Sequence, residues 1–265
     1  MWSRPAWRVP RTDPGVFRLL PYPPRMASLW LHVEDVPPPG GTVEIGRDEA
    51  RHAFGARRLG AGDAVVLFDG RGALGQAVLT GERSRDGSML ARVESVEEAA
   101  PLSPEVTIAF AVPKGDRLST LLDLATQAGV SRLVPIECAR SVVDAEKLDR
   151  GARWQRILHE ATKVAKRAWT PELAPGGAIL ELARAELSRG AAVAVAHTAS
   201  ARPVADWRAS LDAARPRTVL IGPEGGFEDA ELESLAALGV ESVSLGPCVM
   251  RIEAAAIAAT VLLRG

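Results

Sequence analysis

The chain has 265 residues, of which 47% are hydrophobic and 25% charged, and its formal net charge is −1. That is an ordinary composition for a folded chain, long enough for one large domain or two modest ones, and no run approaches the 18 or so uncharged apolar residues that a membrane span needs. Two cysteines, Cys138 and Cys248, are too few for a disulfide framework and stand in no CxxC or His-rich spacing; the sequence therefore predicts no metal site and a reducing, cytoplasmic setting.

Residues 1–27 carry five arginines against Asp13 alone, together with six prolines. They contain no apolar h-region, which argues against a secretory signal, and the prolines would break the amphipathic helix of a transit peptide. A disordered extension is expected, with Met26 as a candidate start. The rest of the chain has an acidic excess, so a nucleic-acid partner must be met by a local basic patch.

From 28 to about 100 the pattern is of short strands between turns: Leu29–Val33, Thr42–Ile45, Ala64–Phe68, Leu74–Leu79 and Met89–Val96, with one helix-like piece over 48–58. Several closely spaced strands and a single short helix predict a small β-barrel. Residues 99–104, with two prolines, read as a linker. The rhythm then changes. Strands at Val106–Val112, Arg132–Ile136, Ala191–His197, Thr218–Ile221 and Ser242–Leu245 alternate with helices at Arg117–Gln127, Ala152–Ala168, Glu228–Leu238 and Glu253–Leu263. Repeated βα units over 104–265 predict an α/β domain with a parallel sheet covered on both faces.

Three stretches carry chemistry. Ile221-Gly222-Pro223-Glu224-Gly225-Gly226-Phe227 is a glycine-rich turn directly after a buried strand, where an α/β sheet binds ligands. It is not a phosphate loop: no GK[ST] follows, and Glu228, Asp229 and Glu231 occupy the positive end of the next helix. A neutral or cationic ligand fits, and the bland alternative is a plain tight turn. The second stretch, Leu245-Gly246-Pro247-Cys248-Val249-Met250-Arg251-Ile252-Glu253, is again a strand end, a turn and a helix start. Glu253 there is either a favourable first-turn carboxylate or a functional one. The third is a helix on which Arg153, Arg156, Glu160, Lys163 and Arg167 recur at three- and four-residue steps, either a solvated face or a phosphate-contacting patch. The four histidines form no ligand spacing, and no nucleophile elbow occurs.

These motifs resemble the RsmE family of 16S ribosomal RNA uridine-N3 methyltransferases, of the SPOUT class. The resemblance rests on Gly222–Phe227 followed by Leu245-Gly246 and Arg251-x-Glu253, on Lys114-Gly115-Asp116-Arg117, the stretch 125–130, Arg140-Ser141-Val142 and Pro171-Glu172, and, in the first domain, on 52–58, Gly62-Asp63 and Phe68-Asp69-Gly70. It spans about 28–265. It implies a PUA-like β-barrel at 28–100 followed by a SPOUT α/β trefoil-knot domain, with S-adenosylmethionine held by Ile221, Gly222, Pro223, Glu224, Gly225, Gly226, Leu245, Gly246, Val249 and Met250. It also implies Arg251 and Glu253 at the reacting base, and 16S ribosomal RNA or the small subunit as the partner. Arg57, Arg58, Lys114, Arg156, Lys163 and Arg167 are the expected RNA contacts. A homodimer is expected as well, because the last helix is apolar on nearly every side and a second subunit is the simplest cover. The chain departs from the family pattern at Gln127, at Lys163-Val164, and at Cys248, Ile252 and Ala254. These departures leave open a different RNA base, or an RNA-binding paralogue without catalysis.

Overall fold

A computed structural model of the protein describes residues 29–51, 59–142 and 151–265; the tail, Arg57 and Arg58 lie outside the described residues. The first unit is a five-stranded sheet of β1 (Leu29–His32), β2 (Thr42–Ile45), β3 (Ala64–Phe68), β4 (Ala73–Arg83) and β5 (Met89–Glu98), in the order β1-β3-β4-β5-β2. Alternation decides its faces: β4 runs buried, half-buried, buried, exposed along its first half, so every second side chain enters one core. Leu31, Ile45, Val65, Leu67, Leu79, Met89 and Ala91 form that core, each at most 1% exposed. Gln76 and Ala77 of β4 pair with Ser95 and Val93, so Glu94 is the extra residue of a bulge on β5, the usual device for bending a strand.

The second unit is a parallel sheet of β6 (Val106–Ala111), β7 (Arg132–Glu137), β8 (Glu172–Leu173), β9 (Gly177–Ala178), β10 (Ala192–Ala196), β11 (Arg217–Ile221) and β12 (Glu241–Val243). Its order is β12-β10-β11-β6-β7-β8, with β9 beside β7. All six residues of β6 and all five of β11 are buried, as in a sheet covered on both faces. The covering helices are α1 (Arg117–Ala128), α2 (Ala152–Ala165), α3 (Ile179–Ser188), α4 (Val204–Ala209), α5 (Asp229–Ala237) and α6 (Ile252–Arg264).

Helix α2 stops three residues short of the predicted end. Lys166 takes a left-handed φ of 53°, and the amides of Lys166 and Arg167 return to the carbonyls of Lys163 and Thr162 at 3.2 and 3.1 Å, which closes the last turn. Helices α3 and α4 have no counterpart in the sequence reading.

The two units meet along α2. The Lys163 ammonium lies 2.7 Å from Glu49 of the barrel and 2.6 Å from Glu160 of its own helix. The His32 and His159 rings stack with centroids 3.9 Å apart. Past the helix, Trp169 Nε1 donates to the Ala99 carbonyl at 2.7 Å and the Thr170 amide to that of Gly70 at 3.0 Å.

Candidate active site

Three neighbouring strands, β12, β10 and β11, end side by side, and their carboxyl-end loops enclose a pocket of about 330 Å³. That is within the range of small-molecule and cofactor sites, and it sits where parallel sheets place them. The pocket takes Ile221 to Phe227 from the first loop and Ser244, Leu245, Gly246, Cys248, Val249 and Met250 from the second, with Ala196, His197 and Thr198 between. All ten residues predicted to hold the methyl donor line it. Ile252 and Ala255 of α6 close the floor.

The first loop is shaped by one aromatic ring. Phe227, 7% exposed, folds back so that a β-carbon on Gly222 would lie 2.7 Å from its ring; only glycine allows that approach. Gly226 has a φ of +71° and open space where a side chain would start. Outside, Arg140 donates to the Gly225 carbonyl at 2.9 Å and Arg117 pairs with Glu224 at 2.6 Å, so the loop is braced from β7 and α1. Sequence reading finds Arg140 and Arg117 only as family pattern; a structural duty for an arginine 85 residues away from its acceptor leaves no local signal.

The N-terminus of α5 is already occupied. Glu228 and Glu231 form a reciprocal capping box, with the Glu228 amide 2.9 Å from Glu231 Oε2, and the other oxygen of Glu231 accepts from the Ala139 amide at 2.8 Å. Those carboxylates take the amides and dipole that would otherwise bind phosphate. The pocket therefore suits a ligand that is cationic or neutral near this loop, as the sequence predicted.

Arg251 and Glu253 do not line the pocket. Arg251 is the exposed N-cap residue of α6, its carbonyl accepting from the Ala255 amide at 2.8 Å. Glu253 stands in the first turn, with Oε2 closed to solvent and without a hydrogen-bond partner among the described residues. Between them, Ile252 is 3% exposed and faces the floor, so the two polar residues flank the pocket.

The predicted basic face divides. Arg153 and Arg156 are exposed, as is Lys114, and Arg153 lies 3.7 Å from Asp116. Lys163 and Arg167 are turned inward, which corrects their assignment as phosphate contacts. Lys163 is 7% exposed within its two ion pairs. Arg167 donates to the carbonyls of Thr126 and Val130 at 2.7 and 2.8 Å, capping the end of α1, and burial lowers its pKa to about 10. Helical spacing puts both on the basic face; it cannot see that the barrel and α1 cover that side.

Comparison with known proteins gives a consistent picture. The model of an RNA methyltransferase domain matches residues 100–264 and that of an RNA methyltransferase PUA domain residues 45–87. The ribosomal RNA small subunit methyltransferase E of Mycobacterium bovis is 32% identical over 237 residues, covering 87% of this chain and 89% of that protein. Among solved structures, a Legionella pneumophila protein in complex with S-adenosylmethionine superposes with a TM-score of 0.78 at 26% identity, covering 89% of this chain and 97% of the other. The Neisseria gonorrhoeae ribosomal RNA small subunit methyltransferase E, 24% identical with a TM-score of 0.75 over 88% and 95% of the two chains, shares the fold.

Proposed function

We propose, since this chain belongs to the ribosomal RNA small subunit methyltransferase E family, that it transfers a methyl group from S-adenosylmethionine to N3 of a uridine in 16S ribosomal RNA, in the cytoplasm. The observation that carries the reading is the pocket itself. Two glycine-turn loops, at the ends of β11 and β12 on either side of β10, leave backbone open to a ligand, beside a helix terminus whose own carboxylates exclude phosphate.

Bound here, the cofactor would supply an electrophilic methyl group on a sulfonium. The residues of this chain bind and orient. Gly226 and Gly246 let the ligand meet backbone; Glu224, held at the rim by Arg117, places an ion-paired carboxylate beside the site. Pro223, Phe227 and Ile252 shut out water from below. Holding methyl and acceptor nitrogen in line can supply on the order of 7–11 kcal/mol of the acceleration. Uridine N3 carries a proton at neutral pH, which must leave before or as the nitrogen attacks. Glu253, with a buried oxygen that no donor among the described residues satisfies, is the group we assign to receive it, and exposed Arg251 orients the base or its phosphate. Lys114, Arg153 and Arg156 form the RNA-facing rim, reached from the pocket through Arg117 and Glu224.

In this reading the barrel at 28–100 binds RNA, the domain at 104–265 carries the chemistry, and two copies of the chain pair. Cys248, exposed on the second loop where the family pattern has arginine, favours a second reading in which the same transfer is made to a different base. Mapping of methylated uridines in 16S ribosomal RNA from a deletion strain decides. Loss of one N3-methyluridine, restored by the wild-type chain and not by Glu253→Gln, is expected; an unchanged uridine map overturns the assignment.

A further inference from the structure

A groove of about 450 Å³ opens on the barrel between a helical segment at 47–51 and the turn that joins β4 to β5. Its walls hold four guanidinium groups, Arg47, Arg51, Arg83 and Arg85, and a single carboxylate, Asp86. It shares no residue with the pocket at the ends of β10, β11 and β12.

Both walls are fixed in place. On the helical side, Ala50 is 1% exposed in the barrel core and Glu49 reaches Lys163 of α2 at 2.7 Å. Arg47 and Arg51, four residues apart, are therefore left together on the outward side. On the turn side, the Gly87 amide donates to the Ser84 carbonyl at 3.0 Å and the Ser84 amide to that of Ser88 at 2.9 Å. The stem of Arg47 lies along Gly87, its Cγ 3.6 Å from where a β-carbon would stand.

Arg47, Arg51 and Arg85 have one carboxylate beside them in the lining of the groove, Asp86. Asp86 is spent on its own turn, accepting from the Ser88 amide at 3.0 Å and the Ser88 hydroxyl at 2.8 Å. Arg47, Arg51 and Arg85 are exposed and make no ion pair among the described residues. Guanidinium groups crowded together repel, so a partner that relieves them must bring several negative charges. The fork of each arginine matches phosphate oxygens in pairs, and an open groove suits a strand laid along it more than an enclosed small molecule.

We propose that this arginine groove is a second RNA contact, gripping backbone phosphates of the RNA whose base reaches the methyl-donor pocket, and that the Glu49–Lys163 pair ties the groove rigidly to the methyltransferase domain. The inference rests on the methyltransferase reading for the identity of its RNA, and its test is separable from that reading. The full-length protein is titrated with 16S ribosomal RNA across a range of salt, as wild type and as the triple variant Arg47→Gln, Arg51→Gln, Arg85→Gln. All three side chains are exposed, so the variant is expected to melt with the wild type. Its slope of log affinity against log salt should fall by about 2, since each phosphate left without its arginine removes about 0.7–0.9. The KM for RNA should rise at least tenfold, with kcat at saturating RNA and affinity for S-adenosylmethionine unchanged. The matching Arg→Lys triple variant, which keeps the charge, should keep the slope. A triple glutamine variant with wild-type slope and KM overturns the groove as an RNA contact. So does a wild type that binds vesicles of anionic phospholipid and not the RNA. A wild type that binds RNA with the expected slope change but transfers no methyl group overturns the methyltransferase reading and leaves the groove standing.

Discussion

Gly222 and Gly226 sit four residues apart in one loop and are glycine for different reasons. At Gly222 the obstacle is internal, the Phe227 ring at 2.7 Å from a would-be β-carbon; Gly222→Ala must push that ring out and should cost stability as well as cofactor affinity. At Gly226 there is room, and the obstacle is the backbone, since φ of +71° costs an L side chain roughly 1–2 kcal/mol. Gly226→Val should leave the protein folded and abolish S-adenosylmethionine binding, read by calorimetry against a near-wild-type melting curve; retained affinity would remove this loop from the site. Lys163 shows the reverse situation, a charge whose duty is structural. Lys163→Met strips the partner from Glu49, whose carboxyl burial already pushes upward and whose other oxygen, Oε2, has no partner among the described residues. Breaking such a pair costs about 3–5 kcal/mol when fully buried, so a loss toward the lower end is expected here, recovered in large part by adding Glu49→Leu. Thermal unfolding of the single and double variants measures it. The loop glycines were legible in the sequence because a ligand-touching turn has a composition of its own. Lys163 was not, because a basic residue at helical spacing looks the same whether solvent or another domain faces it.

At the scale of elements, long runs with one clear period were legible and short ones were not. Strands β6 and β11 are continuous apolar runs, and α1 ends at Gly129 with a φ of +101°, a stop signal visible in the sequence. Helix α3 escaped for a physical reason. One of its three buried positions is Glu186, 2% exposed, where Arg132 at 2.7 Å and Arg189 at 3.3 Å neutralise it and the Thr218 hydroxyl donates to it at 2.7 Å. A buried carboxylate interrupts the apolar stripe that would have announced a core-facing helix. The meeting of β1 with α2 carries a consequence for pH. His32 and His159 stack there; burial and the charges of His32 and Lys163 lower the pKa of His159 to about 4, while burial, Lys163 and Arg71 lower that of His32, with Glu160 opposing at His159 and Asp69 at His32. A histidine lowered in the folded state contributes stability that is complete above its unfolded pKa of 6.5 and fades as pH falls toward 4, since the unfolded chain takes the proton first. The melting temperature should therefore fall between pH 6.5 and 4.5, and His159→Gln should flatten that part of the curve. A wild-type curve with no slope in this window would show that the pair does not hold the barrel to α2.

At the scale of the whole molecule, α6 is the element on which the proposed pairing of two copies turns. One side of it is built into its own chain: Ile252, Ala255, Ala256, Ala259, Thr260 and Leu263 are buried against α1, β6 and β11. Arg217 donates to the Leu263 carbonyl at 2.9 Å and Arg264 to that of Gly129 at 2.8 Å, so the helix cannot roll. Within the chain the helix is covered on that side only. The opposite side carries Ala254, Ile257, Ala258 and Val261 at three- and four-residue steps, with Val261 53% exposed, and no charged side chain stands among them. Small residues along such a stripe let a second helix come close, and a two-fold axis lets one patch serve both copies. The stripe begins at Ala254, next to Glu253 and the second loop, where Val249 is 84% exposed and Met250 36%. A pairing along α6 would therefore cover the pocket's apolar rim as well as the helix, coupling donor binding to assembly. Val261→Asp introduces a charge that the interface would have to desolvate without a partner, and Val261 does not line the pocket. The wild-type chain should sediment at twice 28.1 kDa at micromolar concentration and the variant at that mass, with weakened S-adenosylmethionine binding. A wild type that sediments at 28.1 kDa would refute the dimer, and a monomeric variant with full cofactor affinity would show that each pocket is complete within its own chain.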